Sequence, residues 1–251
     1  MRLRLLYIAI LTSLLLACRT YYEPKFAGNY SQQINPQQIV EDSTVNAIIH
    51  PYKSALDTIM SQVLIYNVAP LQKAKPEGTL NNLFCDIQLQ LVNRQYPQFA
   101  PMFCVMNYGG IRLTSIAAGS ITRGKVYELM PFDNELVVAK INGSTVREIG
   151  KLIAGKGGEP IAGIRMQIHS QVASDIRING ETVQDTLVYY LLLSDYMLNG
   201  GDGYGFVKEQ AIALYPLGIK VRDALIGEME WMQAKGLMLT GKTDGRLKEV
   251  K

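Results

Sequence analysis

Three short loops carry the side chains best suited to holding a ligand. Asn107-Tyr108-Gly109-Gly110-Ile111-Arg112 supplies an amide and a guanidinium. Pro131-Phe132-Asp133-Asn134 supplies an aromatic ring and a second amide. Tyr196, followed by Asn199-Gly200-Gly201-Asp202-Gly203-Tyr204, supplies another ring and a carboxylate. Aromatic faces hold a flat base by stacking, at about 1–3 kcal/mol per base. Asn and Asp read hydroxyls or ring edges, and Arg pairs with carboxylate or phosphate through its planar fork. Glycine takes positive φ and lets backbone approach a ligand closely. Each residue also has a structural alternative. Phe132 could be core, Tyr196 a rim aromatic, Asp202 the cap of a turn and Arg112 half of an ion pair.

Bond-breaking chemistry is harder to find. The chain has two histidines, His50 and His169. His50 precedes Pro51 in a helical pattern and His169 ends a strand, so both read as surface or structural residues. Ser194 lacks the Gly-x-Ser-x-Gly elbow of a nucleophile. Gly155-Lys156-Gly157-Gly158-Glu159-Pro160 has no phosphate-loop spacing and reads as a connector. Cys85 and Cys104 sit in apolar contexts and read as two buried thiols, although an oxidising compartment would permit a bridge. No paired Cys or His spacing suggests zinc.

The elements that must position these loops follow from periodicity. Residues 39–62 place Ile39, Val40, Val45, Ile48, Ile49, Leu56, Ile59 and Met60 at helical spacing, with Pro51 expected to kink the segment or start a second helix. Val63–Val68 reads as a strand. Thr79–Tyr96 reads as a helix with Thr79 as its N-cap. Strands are expected at Phe103–Met106, Leu136–Ile141, Arg165–His169 and Thr186–Leu193, and a hairpin turns at Asn179-Gly180. Residues 122–129 and Thr145–Ile153 read as short helices, the latter with Ser144 as a cap, and Val221–Met232 as a last amphipathic helix. Hairpins intermixed with crossovers predict an α+β fold with a mixed sheet and packed helices.

A family resemblance rests on four motifs in order. Asn-x-Gly-Gly-Ile-Arg (107–112), Pro-Phe-x-Asn (131–134), Tyr-x-x-Asn-Gly-Gly-Asp-Gly-Tyr (196–204) and the helix carrying Asn82-Leu83-Phe84-Cys85-Asp86 resemble the C-terminal domain of secreted 5′-nucleotidases and UDP-sugar hydrolases. The resemblance covers about residues 40–220. It implies a substrate-binding domain in which Phe132 and Tyr196 sandwich a nucleobase, although the family usually has Phe at the second place. It implies that Asp202 contacts ribose hydroxyls, Arg112 phosphate, Asn107 base or phosphate, and that Asn134 joins the site. A further family Arg lies where this chain reads Gln72-Lys73-Ala74-Lys75-Pro76, so a lysine would stand in for it without the bidentate fork. In the family, hydrolysis belongs to an N-terminal metallophosphoesterase domain whose Asp, Asn and His residues hold two metals. Neither histidine here stands in an Asp-x-His, Gly-Asn-His or Gly-His-x-His setting. The resemblance therefore implies no cofactor bound by this chain, with divalent metals held by a separate metallophosphoesterase chain.

The 251 residues are 48% hydrophobic and 19% charged, which describes a globular chain. A net charge of +3 is too mild to argue for nucleic acid. The basic tail from Lys242 reads as a solvated end. At the other end, Arg2 and Arg4 precede an apolar run from Leu5 to Leu16, and Leu15-Leu16-Ala17-Cys18 resembles a bacterial lipobox. The expected organisation is a lipoprotein signal peptide at 1–17, lipidation of Cys18, a polar tether at 18–38 and one domain at 39–251. The expected location is the bacterial cell envelope, outside the cytoplasm, with attachment to a membrane through lipid. The expected function is the nucleotide-binding half of a split 5′-nucleotidase, not active alone. The alternative is a surface lipoprotein that binds nucleotide or nucleoside without catalysis.

Overall fold

The computed structural model describes residues 42–100 and 102–250. The signal peptide, Cys18 and the tether lie outside these residues, as do Ile39 and Val40. Contacts divide the described chain after Ile48. Residues 42–48 open helix α1 (Ser43–Met60), which runs through Pro51 as one helical element with no buried residue. A second helix starting at Pro51 is therefore not formed. The residues from Ile49 onward carry the rest of the fold.

That part begins with β1 (Val63–Asn67), β2 (Leu71–Gln72), α2 (Thr79–Gln95), β3 (Met102–Val105), β4 (Ser115–Ile116), β5 (Gly119–Thr122) and α3 (Arg123–Leu129). It continues with β6 (Glu135–Asn142), α4 (Gly143–Gly155), β7 (Ile161–Ala162), β8 (Ile164–His169), β9 (Val172–Ile178), β10 (Glu181–Thr182) and β11 (Val188–Ser194). The chain closes with α5 (Asp195–Leu198), α6 (Phe206–Gln210), β12 (Ala213–Lys220), α7 (Val221–Ala234) and β13 (Leu247–Glu249). The expected α+β class is what forms.

A five-stranded mixed sheet in the order β12-β6-β11-β3-β7 organises the domain. β3 runs parallel to β11, and the other pairings are antiparallel. Its central strands are apolar on both faces because both faces are covered. Met102 and Cys104 of β3, Leu136 and Val138 of β6 and Leu192 of β11 pack with α2 and α7. The alternate residues Phe103, Val105, Val137, Ala139, Leu191 and Leu193 pack with α4 and strands β8 and β9. The period of two sends successive side chains to opposite cores. Burial of each such large side chain stabilises by about 1.5–3 kcal/mol. Cys85 and Cys104 are buried free thiols, as their contexts suggest.

Several local expectations differ from the structure. Thr79 is the first helical residue rather than the cap, and its hydroxyl accepts the Gln72 N–H at 2.8 Å. Ser144 lies inside α4, whose cap position is Asn142, without a side-chain bond. The tail is not a solvated end. Arg246 is buried and donates to both carboxylate oxygens of Asp86 at 2.6 and 3.0 Å. β13 pairs parallel to β8 and buries Leu247. The Asn179-Gly180 hairpin forms as expected, with both residues at positive φ.

Candidate functional site

Sheet topology brings the three ligand-type loops together. β3 and β11 are parallel, so the Asn107–Arg112 loop and the Tyr196–Tyr204 loop leave the same end of the sheet. β6 is antiparallel to β11 with Leu136 opposite Ser194, so Pro131–Asn134 enters β6 at that end too. The result is a cavity of about 250 Å³. All six residues singled out in the sequence, Asn107, Arg112, Phe132, Asn134, Tyr196 and Asp202, line it. Met130 lines it as well, and nothing in its sequence context distinguished it from core.

The first loop is a single 3₁₀ turn, Tyr108–Gly110. A Cβ on Gly110 would meet Asn107 Oδ1 at 2.8 Å, so glycine lets the Asn107 side chain fold over its own turn. The Arg112 N–H donates to Leu129 O at 2.9 Å, which fixes the loop to the end of α3. The Arg112 guanidinium is exposed and lies 5.9 Å from the Phe132 ring centroid. Among the described residues its side chain makes one long hydrogen bond, to Gly109 O at 3.4 Å. Arg112 forms no ion pair among them.

The second loop is gripped from behind. Buried Arg222 donates to Phe132 O at 3.2 Å and to Asp133 Oδ1 at 2.5 Å. That bond to Arg222, with Lys220 nearby, holds the Asp133 carboxyl below its ordinary range. Phe132 itself stays 41% exposed, so it is not core. Asp195 joins this loop to the third. Its Oδ1 accepts from Asn134 Nδ2 at 3.2 Å, from the Glu135 N–H at 3.1 Å and from the Tyr196 N–H at 2.7 Å. Sequence reasoning missed Asp195. The available signal was an acidic residue directly after a strand, at the N-terminus of a short helix.

The third loop depends on glycine. A Cβ on Gly201 would lie 2.4 Å from the Tyr196 ring, so the ring lies against the bare backbone there. Asp202 has φ +53, in the left-handed region that Asp tolerates better than most residues. That conformation aims its carboxylate across the cavity mouth, where Oδ2 accepts from Asn107 Nδ2 at 2.8 Å. Asp202 thus joins two loops rather than capping its own turn.

Lysine chemistry borders the site. Lys73 Nζ donates to Ile111 O at 2.7 Å and sits 3.9 Å from the Tyr108 ring centroid. Lys75 Nζ lies 4.9 Å from the same ring. Burial, and then the neighbouring Arg112, lower the Lys73 pKa. Neither lysine lines the cavity itself. Among the described residues, no three His, Cys, Asp or Glu side chains are grouped to hold a metal ion.

The family model described as "5′-nucleotidase, C-terminal domain" matches residues 60–209. The chain belongs to this family. "Protein UshA" of Yersinia enterocolitica is 27% identical to it over 189 residues, covering 72% of this chain and 33% of that protein. A "5′-nucleotidase" of Vibrio cholerae is 28% identical over 189 residues, covering 70% of this chain and 32% of its own. This 5′-nucleotidase C-terminal domain therefore spans about a third of the length of these curated relatives. The crystal structure of the 5′-nucleotidase precursor from Thermus thermophilus superposes with a TM-score of 0.69 at 23% identity, covering 86% of this chain and 45% of that one. That likeness is one of fold.

Proposed function

We propose that the cavity binds a nucleotide and that this domain supplies the substrate-binding half of a split 5′-nucleotidase. The carrying observation is the convergence of all six candidate residues on one cavity with two exposed rings, Phe132 and Tyr196, in its lining. The rings stack on the base, Asp202 and Asn107 read ribose and ring edges, and Arg112 takes the phosphate end. Lys73 and Lys75 add positive charge on that side. The family membership supports a role in nucleotide catabolism. Relatives named "Protein UshA" and "5′-nucleotidase" support a nucleotide as the ligand class.

In this reading the hydrolytic step uses metal-activated water. A separate metallophosphoesterase chain holds the divalent metals, and the present chain delivers and orients the substrate. A lipid on Cys18 would hold the pair at the cell envelope, outside the cytoplasm. Among the described residues no helix is long and apolar enough to cross a membrane. The test is AMP hydrolysis by the purified chain with divalent metal, alone and with an envelope metallophosphoesterase. Turnover only with both chains is expected. Robust turnover by this chain alone, abolished by Phe132→Ala, would overturn the split. Tight AMP binding with no hydrolysis alongside any partner would instead favour a non-catalytic binding lipoprotein.

A further inference from the structure

The glycine-rich segment between α4 and β7, a mere connector by its sequence, carries two charged side chains behind the cavity. Glu159 is 4% exposed. Its Oε2 accepts the backbone N–H of Tyr108, the residue after Asn107. Its Oε1 lies 3.2 Å from Lys156 Nζ. Lys156 Nζ in turn donates to the backbone oxygen of Asp202 at 2.6 Å and sits 5.1 Å from the Tyr204 ring centroid. Asp202 Oδ2 then accepts from Asn107 Nδ2 at 2.8 Å. The path from Asn107 through Asp202, Lys156, Glu159 and Tyr108 returns to its start. Three hydrogen bonds and the Lys156–Glu159 ion pair, closed by the Asn107–Tyr108 peptide bond, make a ring that spans two of the three cavity loops.

The ring is built into the backbone. Gly158 has φ +115, and a Cβ there would meet Pro76 O at 2.5 Å, so the approach to Glu159 requires glycine. The Met106 N–H donates to Pro160 O at 3.0 Å, which fixes Glu159 beside the end of β3. Lys75 Nζ donates to Lys156 O at 2.5 Å and braces the segment from the other side.

We propose that Glu159 is a positioning residue: its negative charge, acting through Lys156, holds the Asn107 and Asp202 loops in the spacing that accepts the ligand. This rests on the reading of the cavity as a nucleotide site. Glu159 touches no ligand surface, so it acts on affinity through the loops. A neutral side chain can still accept from Tyr108 but cannot hold Lys156 against Asp202 by charge. The charged and titratable groups around the carboxylate are Lys156, Lys75, Lys73 and the Tyr204 hydroxyl. Burial pushes the Glu159 carboxyl above its ordinary range despite the Tyr108 amide and Lys156. Burial thus opposes the charge that the Tyr108 amide and Lys156 favour.

The test combines AMP calorimetry at neutral pH with thermal melts for wild type, Glu159→Gln, Lys156→Met and the double variant. Glu159→Gln should weaken AMP binding about tenfold, the scale of one charge-assisted hydrogen bond, with Tm unchanged or raised. The double variant should lose little more than the worse single one, since both break the same ring. Unchanged affinity in Glu159→Gln, losses that multiply in the double variant, or a Tm that falls in step with affinity would each overturn the inference. If the wild type binds no AMP, the cavity reading fails, and amide NMR decides the ring alone. The Tyr108 and Asp202 amides must then share one titration step that Glu159→Gln abolishes, apart from the step that Asp202's own carboxylate gives its amide. Independent movement of the two amides would overturn it.

Discussion

Phe132 and Tyr196 keep 41% and 45% of their surface exposed, on a domain whose other large side chains are mostly buried. Their positions are held by groups that never meet a ligand. Arg222 fixes the Phe132 carbonyl, and the missing Cβ of Gly201 makes room for the Tyr196 ring. Gly201→Ala should therefore displace that ring and weaken AMP binding about tenfold while leaving Tm nearly unchanged. Calorimetry beside a thermal melt reads both, and intact affinity would show that the ring is not part of the site. Glu159 makes a separate prediction about stability. Below its ordinary pKa of 4.5, folded and unfolded chains both carry the proton, and the group has no effect. As pH rises above that value, the unfolded chain ionises first because burial raises the folded pKa. Stability is lost through this mildly acidic interval. Wild-type denaturation midpoints should thus fall relative to Glu159→Gln as pH rises from 4.5 towards neutrality, and a rise would contradict the burial argument.

At the scale of elements, the site is a consequence of strand direction. The parallel β3–β11 pair and the antiparallel β6–β11 pair place two strand exits and one strand entrance at one end of the sheet. Asp195 couples two of the resulting loops through three hydrogen bonds to one oxygen. Asp195→Ala should destabilise by about 2 kcal/mol in chemical denaturation, because it leaves three donors without their charged acceptor in a half-buried setting. A shift below a few tenths would mean that water replaces it freely. The six cavity residues were legible because each sits in a glycine- or proline-marked loop beside an apolar strand, and because four motifs fall in a family order. Most of the longer strands and helices were legible from periodicity to within a residue or two, although α1 opens at Ser43 rather than Ile39. β12 was not, because Pro216 and Gly218 interrupt it. An edge position tolerates both, since among the described residues β12 pairs with β6 alone. Asp195, Glu159 and Lys156 were missed because a charge's tertiary partner leaves no trace in local spacing.

At the scale of the molecule, two apolar cores lie on opposite faces of one sheet, and the C-terminal segment enters both, with Leu239 in one and Leu247 in the other. Arg246 bridges Asp86 of α2 to Asp244 and also donates to Ile161 O at 3.0 Å. Glu77 accepts the N–H groups of Asp244 and Gly245 at 2.9 and 3.1 Å. The same charge density that made residues 242–251 look like a free basic end is what knits them in. Truncation after Lys242 should cost about 2–3 kcal/mol, because it removes the buried Leu247 and leaves the half-exposed Asp86 without Arg246. An unchanged denaturation midpoint would return the tail to the role of a solvated end. Whether the cavity holds a nucleotide between the two rings is read by AMP titration calorimetry on wild type, Phe132→Ala and Tyr196→Ala. The wild type should bind one AMP per chain, and each variant should lose about tenfold or more in affinity, in line with stacking on each face of the base. No binding by the wild type, or equal binding by all three, would contradict nucleotide binding between the rings.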